Sequence, residues 1–148
     1  MKKRVLTVKS IIKMVVVLIS IGGFTMNSKA LTSDQKACSI SMEETMPSVY
    51  KILNEQDWLI FSTQKFFAGS KDDLRDGFIH LASASQVDRV IKKYFSLEKQ
   101  VYVLKYSHPK FIARLKWEPS SSGEIYPHLY NSPLLLEEME CYLIKEQE

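Results

Sequence analysis

The chain has 148 residues, 45% of them hydrophobic and 25% charged, which is room for one domain with a real core and too little for a second. Its formal charge of +3 sits at one end: six of the 20 basic residues and none of the 17 acidic ones fall in residues 1–30, so the remainder carries 14 basic against 17 acidic residues. A domain with that balance offers no basic face to neutralise phosphates, and composition makes no case for nucleic-acid binding.

Residues 1–30 read as a targeting leader. Lys2-Lys3-Arg4 is basic, an apolar run follows at 14–24, and Ser28-Lys29-Ala30 is a small-x-small cleavage site. The run is shorter than the about 20 residues a membrane-spanning helix needs. Asp34-Gln35-Lys36-Ala37 before Cys38 is too polar for a lipoprotein signal, so no stable membrane anchor is expected. The expectation is a secreted or periplasmic protein cleaved near Ala30; the alternative is translation from Met46, which leaves the product cytoplasmic. Residues 31–46 read as a flexible arm and 47–148 as the domain. In an exported chain Cys38 and Cys141 make one candidate disulfide, whereas a start at Met46 leaves Cys141 alone.

The domain opens with a strand, Val49-Tyr50-Lys51-Ile52-Leu53, after which Asn54 caps a helix carrying Trp58, Leu59 and Phe61. Phe66-Phe67-Ala68-Gly69-Ser70 breaks that helix, and Lys71-Asp72-Asp73 is expected as a polar loop. Asp76-Gly77 turns into a buried strand, Phe78-Ile79-His80-Leu81. Ser83 and Gln86 have the spacing of a capping box, and Val87, Val90, Ile91, Tyr94 and Phe95 recur as the apolar face of a second helix.

Residues 101–106, dense in β-branched and aromatic side chains, form the clearest strand, which His108-Pro109 ends. A turn and strand follow over 111–117, then a loop at 120–123. Tyr126-Pro127-His128-Leu129-Tyr130 leads into a turn at Asn131-Ser132-Pro133, and 139–144 is the last strand. Short connections after position 96 favour antiparallel pairing. The fold class expected is α+β: a small single domain with a mostly antiparallel sheet and two main helices.

Two of the three histidines, His80 and His128, sit in apolar frames, and Trp117-Glu118 lies between them in sequence. Brought together, these segments make a small-ligand site. His80 reads either as a core imidazole satisfied by backbone groups or as a donor to a sugar or phosphate oxygen and an acid or base near neutral pH. Trp117 reads as core or as an aromatic wall, and Glu118 as a surface carboxylate or a catalytic one. Tyr50 and Tyr130 offer aromatic faces on which a ligand ring can stack. The chain has no Gly-x-Gly-x-x-Gly, no P-loop and no nucleophile elbow. His80, Glu118 and His128 lack a helical zinc-ligand spacing, and no metal is expected.

Val49-Tyr50-Lys51-Ile52, the Asp76-Gly77-Phe78-Ile79-His80-Leu81 block with Gln86 after it, Trp117-Glu118 and Pro127-His128-Leu129-Tyr130 occur in an order and spacing that resembles the bacterial domain of unknown function 952 family. The resemblance covers roughly residues 47–145. It implies an α+β fold similar to the ADP-ribosyltransferase group, with a split antiparallel sheet gripping a nicotinamide dinucleotide. On that resemblance the partner is a nucleotide-like small molecule, the cofactor it points to is NAD, and the activity would be ADP-ribosyl or related glycosyl transfer. His80, Glu118 and His128 would be catalytic, and Tyr50, Lys51, Ser83, Gln86, Trp117 and Tyr130 ligand-binding. The alternative is a non-catalytic ligand-binding module. Two departures bear on that choice: Ala82-Ser83 stands where many members carry Ser-Thr, and Lys51 stands where one class of ADP-ribosyltransferases places a nucleotide-holding histidine.

Overall fold

The computed structural model describes Cys38 and residues 47–147. The leader expected over 1–30 and, apart from Cys38, the arm over 31–46 lie outside the described residues. From β1 (Val49–Leu53) the chain runs through α1 (Glu55–Gln64), β2 (Phe66–Phe67), α2 (Lys71–Asp76), β3 (Phe78–His80) and β4 (Ala82–Ser83). After one 3-10 turn come α3 (Val87–Tyr94), β5 (Gln100–Tyr106), α4 (Pro109–Ile112), β6 (Leu115–Pro119) and β7 (Ile125–Tyr130). Then follow β8 (Leu134–Leu135), a second 3-10 turn and β9 (Cys141–Glu146).

The strands pair as three antiparallel sheets: β4-β1-β5-β9, β3-β7-β6 and the two-stranded β2-β8. The α+β class with mostly antiparallel pairing is therefore the observed one. Helices α1 and α3 are the two the apolar spacing predicts, and α2 and α4 are short additions. No helix among the described residues is long and apolar enough to cross a membrane.

Alternation along β1 and β5 sends side chains to two cores. Val49, Leu53, Leu104 and Tyr106 meet Phe61, Ile79, Leu129 and Leu134, while Tyr50, Ile52, Val101 and Val103 meet Val87 and Ile91 of α3. The four-stranded sheet is thus covered by α3 on one side and by α1 and the three-stranded sheet on the other. Ile79 and Leu129 fix the three-stranded sheet to the main core, and truncating either to alanine costs about 2–5 kcal/mol.

The segment expected as a polar loop, Lys71-Asp72-Asp73, is instead the first turn of α2. Ser70 Oγ accepts from the Asp73 N–H at 3.2 Å and Asp73 Oδ2 accepts from the Ser70 N–H at 2.8 Å, a reciprocal cap. Gly77, with φ 82°, closes the helix in the left-handed region and turns the chain into β3. Gly69 is needed for another reason: at φ 125°, an added Cβ would lie 2.8 Å from Asp73 Cβ. Elsewhere Asn54 Oδ1 accepts from the Asp57 N–H at 2.8 Å, and Gln86 Oε1 accepts from the Ser83 N–H at 2.9 Å, as their spacing predicts. Cys38 and Cys141 form a disulfide that ties residue 38 to the start of β9, with Cα atoms 5.3 Å apart.

Candidate functional site

Strand alternation gives the three-stranded sheet two unlike faces. Ile79, Leu129 and Leu115 point to the main core. Phe78 and His80 of β3, His128 and Tyr130 of β7, and Lys116 and Glu118 of β6 share the other face. In the register His80 stands directly opposite His128, which stands opposite Lys116, and Phe78 stands opposite Tyr130. The two imidazole centroids are 5.4 Å apart and the rings meet edge to face. The His80 side chain is 41% exposed and that of His128 10%.

His80 is held from below by Asp73, which sequence reasoning missed. Asp73 Oδ1 accepts the His80 backbone N–H at 2.9 Å and lies 2.8 Å from His80 Nδ1. Asp73 Oδ2 accepts from the Lys51 ammonium at 2.7 Å, and that ammonium also donates to the His80 carbonyl at 3.1 Å. Burial pushes the Asp73 carboxyl up, but the His80 hydrogen bonds and the Lys51 charge outweigh it and hold Asp73 well below the usual carboxylate range. Burial draws the Lys51 ammonium below its ordinary value, against the pull of Asp73. An ionised Asp73 only accepts, so His80 Nδ1 carries the proton and Nε2 is the nitrogen left for a ligand. Asp76 Oδ2 flanks that Nε2 at 3.5 Å.

His128 is held in the same manner. Its Nδ1 lies 2.9 Å from Glu118 Oε2, and the Tyr130 hydroxyl donates to the same oxygen at 2.8 Å. Those two bonds, His128 first, hold the Glu118 carboxyl below its ordinary value, and the bond to Glu118 raises the Tyr130 phenol. The Phe78 ring stacks on His128 with centroids 4.2 Å apart and touches His80 at 4.6 Å. The Lys116 ammonium sits over the Tyr130 ring, 4.3 Å from its centroid.

The structure thus unites His80, Glu118, His128 and Tyr130 on one surface, with Lys51 beneath it acting through Asp73. Other expected site residues are not brought there. Tyr50 has no exposed surface and packs in the core under α3. Trp117 neighbours Glu118 in sequence and for that reason projects from the opposite face of β6, opposite Pro127. Ser83 opens the turn before α3, and Gln86 is buried, donating to the Ile125 carbonyl at 2.7 Å and to Glu124 Oε1 at 3.2 Å. Gln86 serves the α3–β7 junction, while Ser83 pairs with Val49 of β1. Glu124 is bound by Gln86, Arg89 and Tyr126, and Glu140 by Lys105 and Ser107, so neither replaces Glu118 beside His128. The signal for Asp73 was its spacing from Ser70, a capping box in which aspartate stands for glutamate.

Two neighbouring imidazoles, each with Nδ1–H fixed by its own carboxylate, keep both Nε2 atoms outside those two bonds. In that tautomer each Nε2 can accept from a sugar hydroxyl and act as base, while a ring that gains a second proton at Nε2 can donate to a phosphate oxygen and act as acid. Among the described residues no group of three or more His, Cys, Asp or Glu side chains is placed to hold a metal ion.

Fold and site together define a class: a small antiparallel α+β domain that displays a carboxylate-oriented histidine pair on the outer face of a three-stranded sheet. The chain belongs to the family described as "Protein of unknown function (DUF952)", whose model matches residues 52–140, a span that contains His80, Glu118 and His128. Among solved structures it is similar to protein CC0527 from Caulobacter crescentus, at 35% sequence identity. The X-ray structure of that protein matches over 68% of this chain and 88% of that one with a TM-score of 0.63. Its solution NMR structure matches over 68% and 86% with a TM-score of 0.61. No curated protein matches this chain.

Proposed function

We propose that the His80–His128 face binds a small molecule bearing ribose and phosphate, of the NAD or ADP-ribosyl class. One observation carries the reading: the two imidazoles stand directly opposite each other across β3 and β7, each with Nδ1 committed to its own carboxylate. Both Nε2 atoms are therefore left to accept from hydroxyl groups of the same ligand. Tyr130 and Lys116 add a phenol and a cation beside the pair. The resemblance to nucleotide-gripping ADP-ribosyltransferases points to the same ligand class.

In a transferase form of this reading the glycosidic bond between ribose C1′ and nicotinamide breaks. A hydroxyl oxygen then bonds to C1′, its proton passes to a carboxylate, and nicotinamide leaves neutral. Glu118 is the carboxylate on this face, and with Oε2 engaged twice its Oε1 would meet the hydroxyl. A second reading, a module that binds without chemistry, rests on two specific features. Glu118 is held below its ordinary value and is a weak base, and Lys51, standing where the nucleotide-holding histidine would be, is buried on Asp73 rather than offered to a ligand.

A thermal-shift series with NAD, ADP-ribose and nicotinamide tests the shared claim. A ligand at about 100 times its Kd stabilises the fold by roughly 2.7 kcal/mol. His80→Ala and His128→Ala each reduce that shift, and turnover compared between wild type and Glu118→Gln separates the transferase from the module. No shift with any of the three compounds removes the nucleotide reading.

A further inference from the structure

His80 Nε2 has a second acceptor beside it. Asp76 Oδ2, from the last residue of α2, lies 3.5 Å away, and the two side chains are 41% and 31% exposed, so both reach solvent. Arg75 fixes the Asp76 carboxylate in place. Its Nε donates to Asp76 Oδ1 at 2.8 Å and its Nη2 to Oδ2 at 3.0 Å, while its Nη1 donates to Asp72 Oδ1 at 2.7 Å. The bonded guanidinium holds the Asp76 carboxyl below its ordinary value, so the group is ionised at neutral pH and only accepts.

With Nδ1–H committed to Asp73, the His80 Nε2 bears a lone pair, and two acceptors stand side by side. A second proton on Nε2 would draw the pair toward the about 2.7–2.9 Å of a charge-assisted bond, and the observed 3.5 Å is longer. Water serves such exposed acceptors, and a ligand that displaces it without bringing its own donors loses affinity. A single hydroxyl has one O–H and satisfies one of the two. Two hydroxyls on adjacent carbons, on the same side of a sugar ring, give one O–H to each. An anionic oxygen has no hydrogen to give and would face the Asp76 charge. The cation of this surface, Lys116, stands on the other edge strand of the sheet, opposite His128 in the register, which draws the phosphate end of a ligand away from Asp76.

We propose that His80 Nε2 and Asp76 Oδ2 form a subsite for a vicinal cis-diol, the 2- and 3-hydroxyls of a ribose ring, and that Asp76 is a further ligand-binding residue. The proposal rests on the sugar–phosphate ligand class above and deepens it: it states which part of the sugar His80 takes and which carboxylate shares that part.

The test uses the full, disulfide-linked chain, isotope-labelled for NMR and titrated separately with ribose 5-phosphate, 2-deoxyribose 5-phosphate and inorganic phosphate, with the two imidazole signals as readout. Ribose 5-phosphate is expected to move the His80 signal and to bind at least about tenfold tighter than the 2-deoxy sugar, the worth of a hydrogen bond to a charged group. Asp76→Ala is expected to abolish that preference, so that both sugars bind alike, whereas Asp76→Asn, whose carbonyl oxygen still accepts, keeps part of it. The exposed Arg75–Asp76 pair adds little to stability, so both variants are expected to fold. If ribose 5-phosphate moves the His128 signal alone, if both sugars bind wild type equally, or if the preference survives Asp76→Ala, the diol subsite is overturned and the ligand class stands. The subsite is also overturned if inorganic phosphate moves the His80 signal as far as ribose 5-phosphate does and binds tighter to Asp76→Ala, since His80 then takes the anion. If neither sugar moves either imidazole, the ligand class fails and the subsite with it.

Discussion

Asp73 holds His80 by two bonds on a single oxygen: Oδ1 takes the backbone N–H at 2.9 Å and Nδ1 at 2.8 Å, while Oδ2 takes the Lys51 ammonium and the Ser70 N–H. The carboxylate therefore joins three elements, with Lys51 on β1, Asp73 on α2 and His80 on β3. Removing its charge strands a buried ammonium. Asp73→Asn is expected to destabilise the fold by about 3–5 kcal/mol, measured by denaturant unfolding. Combining it with Lys51→Met, which removes the ammonium, restores most of that loss.

The same carboxylate sets an acid limit. Its folded value lies below the about 3.9 of an unfolded aspartate, so in the window between the two the unfolded chain binds more protons and stability rises with pH. The contribution is complete above about pH 5 and is lost as the pH falls below about 4 toward the folded value. Glu118 and Asp76 are also depressed, by His128 and Arg75 respectively, and share this acid window. The difference between wild type and Asp73→Asn, taken at pH 7 and again at pH 3, isolates Asp73: it is large at pH 7 and shrinks at pH 3. An equal difference at both values would show that Asp73 is not ionised in the fold.

Gly69 holds Asp73 in place through what it lacks. Gly69→Ala introduces a Cβ 2.8 Å from Asp73 Cβ at a backbone φ of 125°. Strain of this kind costs about 1–3 kcal/mol. The expected outcome is a lower Tm together with an altered His80 imidazole signal, since the alanine can be fitted only by moving the cap of α2. An unchanged His80 signal would break the link between this glycine and the site.

The carboxylates also fix tautomers. In wild type both His80 and His128 are expected as Nδ1–H forms, read from imidazole nitrogen shifts. Glu118→Gln releases His128 alone to mixed tautomers, because a glutamine amide can either donate or accept, and leaves His80 unchanged. Tyr130→Phe, which removes one hydrogen bond to Glu118, keeps the Nδ1–H form.

The disulfide between Cys38 and Cys141 closes a loop with a sequence separation of 103. On the chain-entropy account such a link is worth up to about 4–5 kcal/mol, so reduction or Cys141→Ser lowers stability toward that amount. Native protein from an oxidising compartment is expected to take up no alkylating agent before reduction. On the export expectation its intact mass corresponds to a chain beginning at Leu31, whereas a chain beginning at Met46 lacks Cys38 and excludes the link.

Much of the framework was legible because local chemistry wrote it. The β-branched run at β5, the Asn54 cap and the Ser83–Gln86 spacing each act within a few residues, and each formed as expected. The histidine pair was legible as two apolar frames but not as a direct cross-strand pair, since the register of β3 on β7 is set by how Ile79 and Leu129 reach the core. Asp73 was hidden in a charged triplet whose partners come from β1 and β3, contacts that only tertiary packing creates. The placement of Trp117 was different: adjacent residues of a strand face opposite ways, so Trp117 and Glu118 could not both line one surface. That lesson was in the sequence once β6 was known to be extended.

The central claim is that His80 and His128 jointly hold one ligand, and the most direct measurement is the ADP-ribose thermal shift of wild type beside His80→Ala and His128→Ala, with each variant verified as folded. The account predicts a clear shift in wild type and its loss or strong reduction in each variant. A shift of the same size in all three proteins, or none in wild type, would contradict it.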